Sequence, residues 1–173
     1  MEARHGEQRL IMRVLAQYRG LCRGTNLPRR AQINPALFGR DWANCLLVDL
    51  DPQVEASRFA FIGDKLGHPT APASARHTLA DCRENTLLYV ATAYVERVLA
   101  RRLPISRGGI GLHHDTPIVY RSILLPLSES GSAIDGVLGA ATFREIPVTE
   151  EVHPLRAPAA NAVDTAVSVS ASA

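Results

Sequence analysis

Lysine is nearly absent: Lys65 is the only one, and arginine supplies the remaining positive charge. Nineteen basic against 17 acidic residues leave a net charge of +2 at pH 7. No basic block interleaved with aromatics exists, which speaks against a nucleic-acid-binding surface. Aromatics make up only 5% of the chain. Cysteines are few as well: Cys22, Cys45 and Cys82 are odd in number, far apart and without a CxxC pair. That spacing gives no support to a disulfide framework or a zinc ribbon, and predicts reduced, partly buried thiols. No apolar run approaches the roughly 20 residues that span a bilayer. The first residues, Met1-Glu2-Ala3-Arg4-His5-Gly6, lack the apolar core of a secretion signal. A cytoplasmic protein is expected.

What is present is an ordinary globular mixture, with 46% hydrophobic and 21% charged residues in 173. That length suits one domain with a single core and a tail. Residues 145–173 hold Glu145, Glu150, Glu151 and Asp164 against Arg156 alone, so the tail is acidic. The remainder is correspondingly basic and would favour acidic partners modestly.

Leu10, Ile11, Val14, Leu15 and Tyr18 recur at helical spacing and predict a helix over residues 7–19. Packing on its own domain and a role in dimer contacts are both open to it. Asn34-Pro35 reads as the cap and first turn of a short helix through Phe38. Strands are expected at 44–50 and 58–62, joined as an antiparallel hairpin. Residues 67–74, with Pro69 and Pro72, should be irregular. A single long helix is expected over 85–102, its stripe of Leu87, Leu88, Ala91, Tyr94, Val95, Val98 and Leu99 facing the core. Three strands follow, at 105–113, 117–127 and 134–143. Gly108 and Gly109 suggest a bulge or a close approach in the first of them. Residues 157–173 are mostly Ala, Val and Ser with no aromatic and no periodic pattern, and a disordered tail is expected over 147–173. The fold class is therefore α+β, one five-stranded antiparallel sheet with helices on one face and an N-terminal helix.

The catalytic and metal motifs tested against the sequence fare poorly. His77 and Cys82 suggest a base and a thiol nucleophile, but no orienting Asn or Asp is identifiable. Glu129 and Asp135 lie at a turn, where solvated carboxylates are ordinary. Ser106-Arg107-Gly108-Gly109-Ile110-Gly111 lacks the spacing and the lysine of a phosphate loop. His113 and His114 are adjacent, so on a strand they would face opposite sides and could not share a metal. His5 and His153 lie near the ends. No catalytic residue and no metal site is expected, and the chain is not read as an enzyme.

Several segments resemble a known family. The order strand, strand, helical section and three-stranded meander is that of a PAS domain. Tyr120-Arg121-Ser122-Ile123-Leu124-Leu125-Pro126-Leu127-Ser128, with Ile134-Asp135-Gly136-Val137-Leu138-Gly139-Ala140, resembles the last two strands of the single-domain PAS proteins common in alphaproteobacteria. Leu27-Pro28-Arg29-Arg30 with Ile33-Asn34-Pro35 is similar to that family's approach to its first strand. Phe59-Ala60-Phe61-Ile62-Gly63 is similar to its second strand. After Gly63 this chain carries Asp64-Lys65-Leu66-Gly67-His68-Pro69 where many relatives have a glycine- and aspartate-rich stretch. The resemblance implies an N-terminal helix and linker at 1–26, a PAS-like domain at 27–146 and the tail beyond. It implies sensing or protein–protein interaction in signal transduction, acting in trans through a small ligand or a partner protein. A ligand-free structural adaptor is the alternative, and a small-molecule enzyme a more distant one. His68 and His77 flank the section where a PAS haem ligand would lie. Tyr120, Arg121, His77 and Tyr94 are the candidate ligand contacts, and a homodimer through the N-terminal helix is implied.

Overall fold

The computed structural model describes residues 3–24, 26–67, 77–147 and 163–166, with the backbone alone at 3–8 and 163–166. The expectations at 67–74 and at His68 fall largely outside these residues, and His153 and most of 147–173 fall outside them too.

The elements run α1 (Ala3–Leu21), α2 (Pro35–Phe38), β1 (Cys45–Asp49), β2 (Arg58–Ile62), α3 (Leu87–Thr92), α4 (Val95–Arg101), β3 (Ile105–His113), β4 (Thr116–Leu127), β5 (Gly136–Glu145) and β6 (Val163–Ala166). Short 3-10 turns at Gly39–Asn44, Val54–Ala56 and Leu79–Asp81 link them. The strands form one antiparallel sheet in the order β2-β1-β5-β4-β3-β6. The five expected strands are all there. β6 is an addition that the sequence reading did not foresee, laid along the free edge of β3.

Helices cover both faces of the sheet rather than one. α1 lays Leu10, Ile11, Val14, Leu15 and Tyr18 against Leu47, Ile123, Leu125, Leu127 and Leu138. On the opposite face, α3 places Leu87 and Ala91 with Leu46, Phe59, Ile118 and Tyr120. α4 sets Val95 and Val98 among Tyr94, Ile105, Leu124 and Val137. Double coverage explains why Cys45-Leu46-Leu47-Val48 and Ile123-Leu124-Leu125 are unbroken apolar runs: a strand buried on both faces has no polar alternation. It also settles where the stripe of α1 goes, which is onto its own sheet. The Tyr18 hydroxyl donates to the Pro126 carbonyl at 2.7 Å inside that contact.

The helix expected over 85–102 is two helices. Asn85 has φ 64 and cannot belong to a right-handed helix. Thr86 instead caps α3, its side chain accepting from the Tyr89 amide. At the other end Thr92 Oγ donates back to the Leu88 carbonyl at 2.7 Å. Tyr94 then leaves helical geometry, at φ −116 and ψ 19, before α4 begins. Arg102, with φ 55, ends α4 in a left-handed cap.

The β3–β4 pairing is in continuous register, so Gly108 and Gly109 mark no bulge. Gly109 is a close approach: a Cβ there would lie 3.3 Å from the Tyr120 ring. Gly63 is a tighter one. It ends β2 and donates its amide to the Cys45 carbonyl at 2.8 Å, while its α-carbon rests on the Trp42–Ala43 backbone.

Candidate functional site

The face of the sheet under α3 and α4 gathers the polar side chains. Tyr94 enters from the break between the two helices and its hydroxyl meets Ser122 Oγ of β4 at 2.8 Å. Both groups are buried. Arg107 of β3 holds its guanidinium 5.7 Å from the centre of the Tyr94 ring. Such a position lets the ring face attract the cation. Tyr120, two residues before Ser122 and so on the same face, lies across Gly109. Burial pushes the Tyr94 phenol well above its ordinary range, against the opposing pull of the Ser122 bond and of Arg107. Burial raises Tyr120 too, and Arg107 again opposes it. Both phenols are therefore neutral across physiological pH and act as hydrogen-bonding hydroxyls, not as bases. Tyr94→Phe should cost about 1–2 kcal/mol in urea unfolding, because the Ser122 hydroxyl is left buried without its partner. An unchanged midpoint would show that the pair contributes nothing.

Beside this cluster, at the β3–β4 hairpin end, lies a cleft of about 180 Å³. Phe59, Leu66, Leu87 and Leu112 give it apolar walls, and His77, Asp81, Arg83 and His114 stand at its polar side. Asp81 accepts from both the amide and the hydroxyl of Thr78, at 2.8 and 2.9 Å. Those bonds hold its carboxyl below the usual carboxylate range. Arg83 pairs with Asp115 of the hairpin turn. Cys82 lines the cleft, and burial, with Asp81 adding to it, pushes its thiol up to about 11. The thiol is thus protonated at neutral pH, which removes the nucleophile from the His77–Cys82 pairing. Iodoacetamide should label Cys82 at pH 8 on the order of 100-fold more slowly than a thiol of ordinary pKa, with the rate rising toward pH 11. Labelling as fast as free cysteine would contradict this. Cys45, buried under α1 and pushed up to about 12, should be slower still.

His113 and His114 correct an expectation. They do not face opposite sides of a strand, because β3 ends at His113. His114 and Asp115 take φ 49 and 63, the two-residue turn that joins antiparallel strands. That turn swings the His114 ring to 4.0 Å from His113, and the Phe143 ring lies 4.2 Å from His113. Among the described residues no three His, Cys, Asp or Glu side chains are grouped to hold a metal.

The candidate ligand contacts are therefore divided. Tyr94 and Tyr120 come together; His77 lines the neighbouring cleft; Arg121 is exposed on the opposite face, in register with Gly108 and Thr142. Glu129 and Asp135 are loop-building groups: Glu129 accepts from the Arg30 amide at 2.7 Å, and Asp135 from the Glu129 amide at 2.9 Å. Arg107 and Ser122 join the site without having been singled out in the sequence. A larger groove of about 490 Å³ lies elsewhere, between the end of α1 and the β4–β5 turn, with Arg23, Arg29 and Ser130 among its walls. Among the described residues no helix is long and apolar enough to cross a membrane. No protein-family model matches the chain, and no curated protein is significantly similar to it.

Proposed function

We propose that the chain is a PAS-like sensory or protein-interaction domain of cytoplasmic signal transduction, acting in trans and without turnover. The observation that carries this is the architecture. Two strands, a helical section and a three-stranded meander fold into one antiparallel sheet, and β5 closes the meander against β1. The motif-bearing segments resembling alphaproteobacterial single-domain PAS proteins are β4 and the stretch leading into β5. The face under α3 and α4 supplies Tyr94, Tyr120 and Arg107, and the adjoining cleft supplies apolar walls with His77 and Arg83. A small ligand with an apolar body and a polar end suits that cleft.

One feature favours the second reading, a ligand-free adaptor. The space under α4 is filled by Tyr94, Leu124 and Val137, and the Tyr94 hydroxyl is already bonded to Ser122. Native mass spectrometry on freshly purified protein, with an absorbance spectrum of the same sample, separates the two. An added mass or a visible band would support ligand sensing. A bare chain that also shows no ligand-dependent stabilisation in a metabolite screen would sink it in favour of the adaptor. The same spectrum tests a homodimer through α1, whose solvent side offers Met12, Ala16 and Gly20.

A further inference from the structure

The groove between the end of α1 and the β4–β5 turn holds about 490 Å³, within the size range of small-molecule sites and larger than the cleft beside His77. Leu21, Leu27 and Ala31 give it an apolar side, and Arg23, Arg29 and Gln32 a polar one. The acceptors around it are largely engaged within the fold. The carbonyls of Arg19, Arg23, Pro28 and Arg29 take the amides of Cys22, Asn26, Ser128 and Gln32 at 3.0 to 3.1 Å. Gln32 Oε1 accepts from the Arg29 amide at 2.8 Å, which leaves that side chain its two N–H donors. Ser130 Oγ accepts from the Ser132 and Ala133 amides, both at 3.3 Å. The neighbouring acids are engaged as well: Glu129 by the Arg30 amide, and Asp49 by the Arg30 guanidinium. Arg23 and Arg29 take part in no ion pair among the described residues.

We propose that this groove binds a small organic phosphate, its phosphate held by Arg23, Arg29 and the Gln32 amide and its body resting on Leu21, Leu27 and Ala31. A wall whose cations lack counter-charges and whose acceptors are engaged selects an anion. Guanidinium forks bond anionic oxygens in pairs and keep their charge at any physiological pH. Two forks and an amide offer more donors than the two oxygens of a carboxylate use well. The three terminal oxygens of a phosphate ester match them better. The volume leaves room beside the phosphate for an organic body, which the apolar side would shield from water. The site is distinct from the cleft beside His77 and rests on none of the signalling reading, so either can fail alone.

Two-dimensional NMR of the full chain, titrated with phenyl phosphate, tests it. Saturable shifts should gather at the amides of Arg23, Asn26, Arg29, Gln32, Ser130 and Gly131, with a Kd of about 1 mM or tighter. Arg23→Gln and Arg29→Gln should each weaken binding about tenfold, as the loss of a charge-assisted contact does. Their unfolding midpoints should not move, because neither residue belongs to an ion pair. Arg40→Gln, at an exposed arginine outside the groove, should leave the Kd within about twofold. Inorganic phosphate and benzoate should both bind more weakly than phenyl phosphate. Benzoate binding as tightly overturns the phosphate assignment, and inorganic phosphate binding as tightly overturns the organic body. Shifts that scatter over the surface without saturating, or that persist when Arg23→Gln and Arg29→Gln are combined, overturn the site.

Discussion

Gly63→Ala is expected to lower stability by about 3 kcal/mol, the upper part of the range for forcing atoms into a filled site. An added methyl group would stand 2.4 Å from the Ala43 carbonyl oxygen, 2.6 Å from its carbon and 2.8 Å from the Trp42 oxygen. All three are main-chain atoms, held by the turn that feeds β1, so no side chain can swing away. Either the turn shifts or the end of β2 does, and the Gly63 amide bond to Cys45 goes with it. For a domain of this size the loss reads as a fall of about 6–12 °C in thermal midpoint. Gly67→Ala is the control, because a Cβ there meets nothing closer than 3.7 Å. It should stay within about 1 kcal/mol of the parent. Equal midpoints for the two variants would mean that the Gly63 approach is not tight in solution.

The second large effect is expected at Arg13. Its Nε and Nη2 reach the two oxygens of Asp41 at 2.7 and 2.6 Å, a two-pronged contact between α1 and the turn before β1. Asp41 is only 5% exposed, so its charge has little water to fall back on. Removing one partner of a buried pair costs more than the pair contributes, because the remaining charge stays desolvated. Arg13 itself keeps 41% of its side chain in solvent, which relieves part of that penalty. Arg13→Ala should therefore cost about 2–3 kcal/mol in urea unfolding. Arg13→Lys keeps the charge but loses the fork and should fall between the two. Adding Asp41→Asn to Arg13→Ala should recover part of the loss, since the stranded carboxylate is then gone. A double variant whose loss equals the sum of the singles would show no coupling.

Segments with a clear period and firm punctuation were legible in the sequence. Arg58–Ile62 and Ile105–His113 coincide with β2 and β3, and the stripe from Leu10 to Tyr18 does pack as a helix face. Where the chain is steered by distant partners the pattern misleads. The stripe from Leu87 to Leu99 is buried or half-buried as expected, but the helix breaks at Tyr94, whose hydroxyl bonds to Ser122 28 residues away. Periodicity sees the stripe and not that bond. The paired histidines mislead for a local reason: two left-handed residues end the strand one position earlier than alternation assumes. β6 was invisible because its four residues pair through backbone groups, and only the open β3 edge gives them a place. Tyr94 and Tyr120 could be picked one at a time. Their convergence with Arg107 needs the sheet, and Arg107 is one arginine among many in a chain with a single lysine.

The way α1 sits on the sheet limits how a signal could pass through it. Five of its side chains, Leu10, Ile11, Val14, Leu15 and Tyr18, are buried. Lifting them into water would cost about 10 kcal/mol. A micromolar ligand releases about 8 kcal/mol on binding, and only the part that discriminates between two states can do work on the helix. Undocking is therefore out of reach for an ordinary effector. Any change transmitted along α1 would have to leave its buried face seated on the sheet.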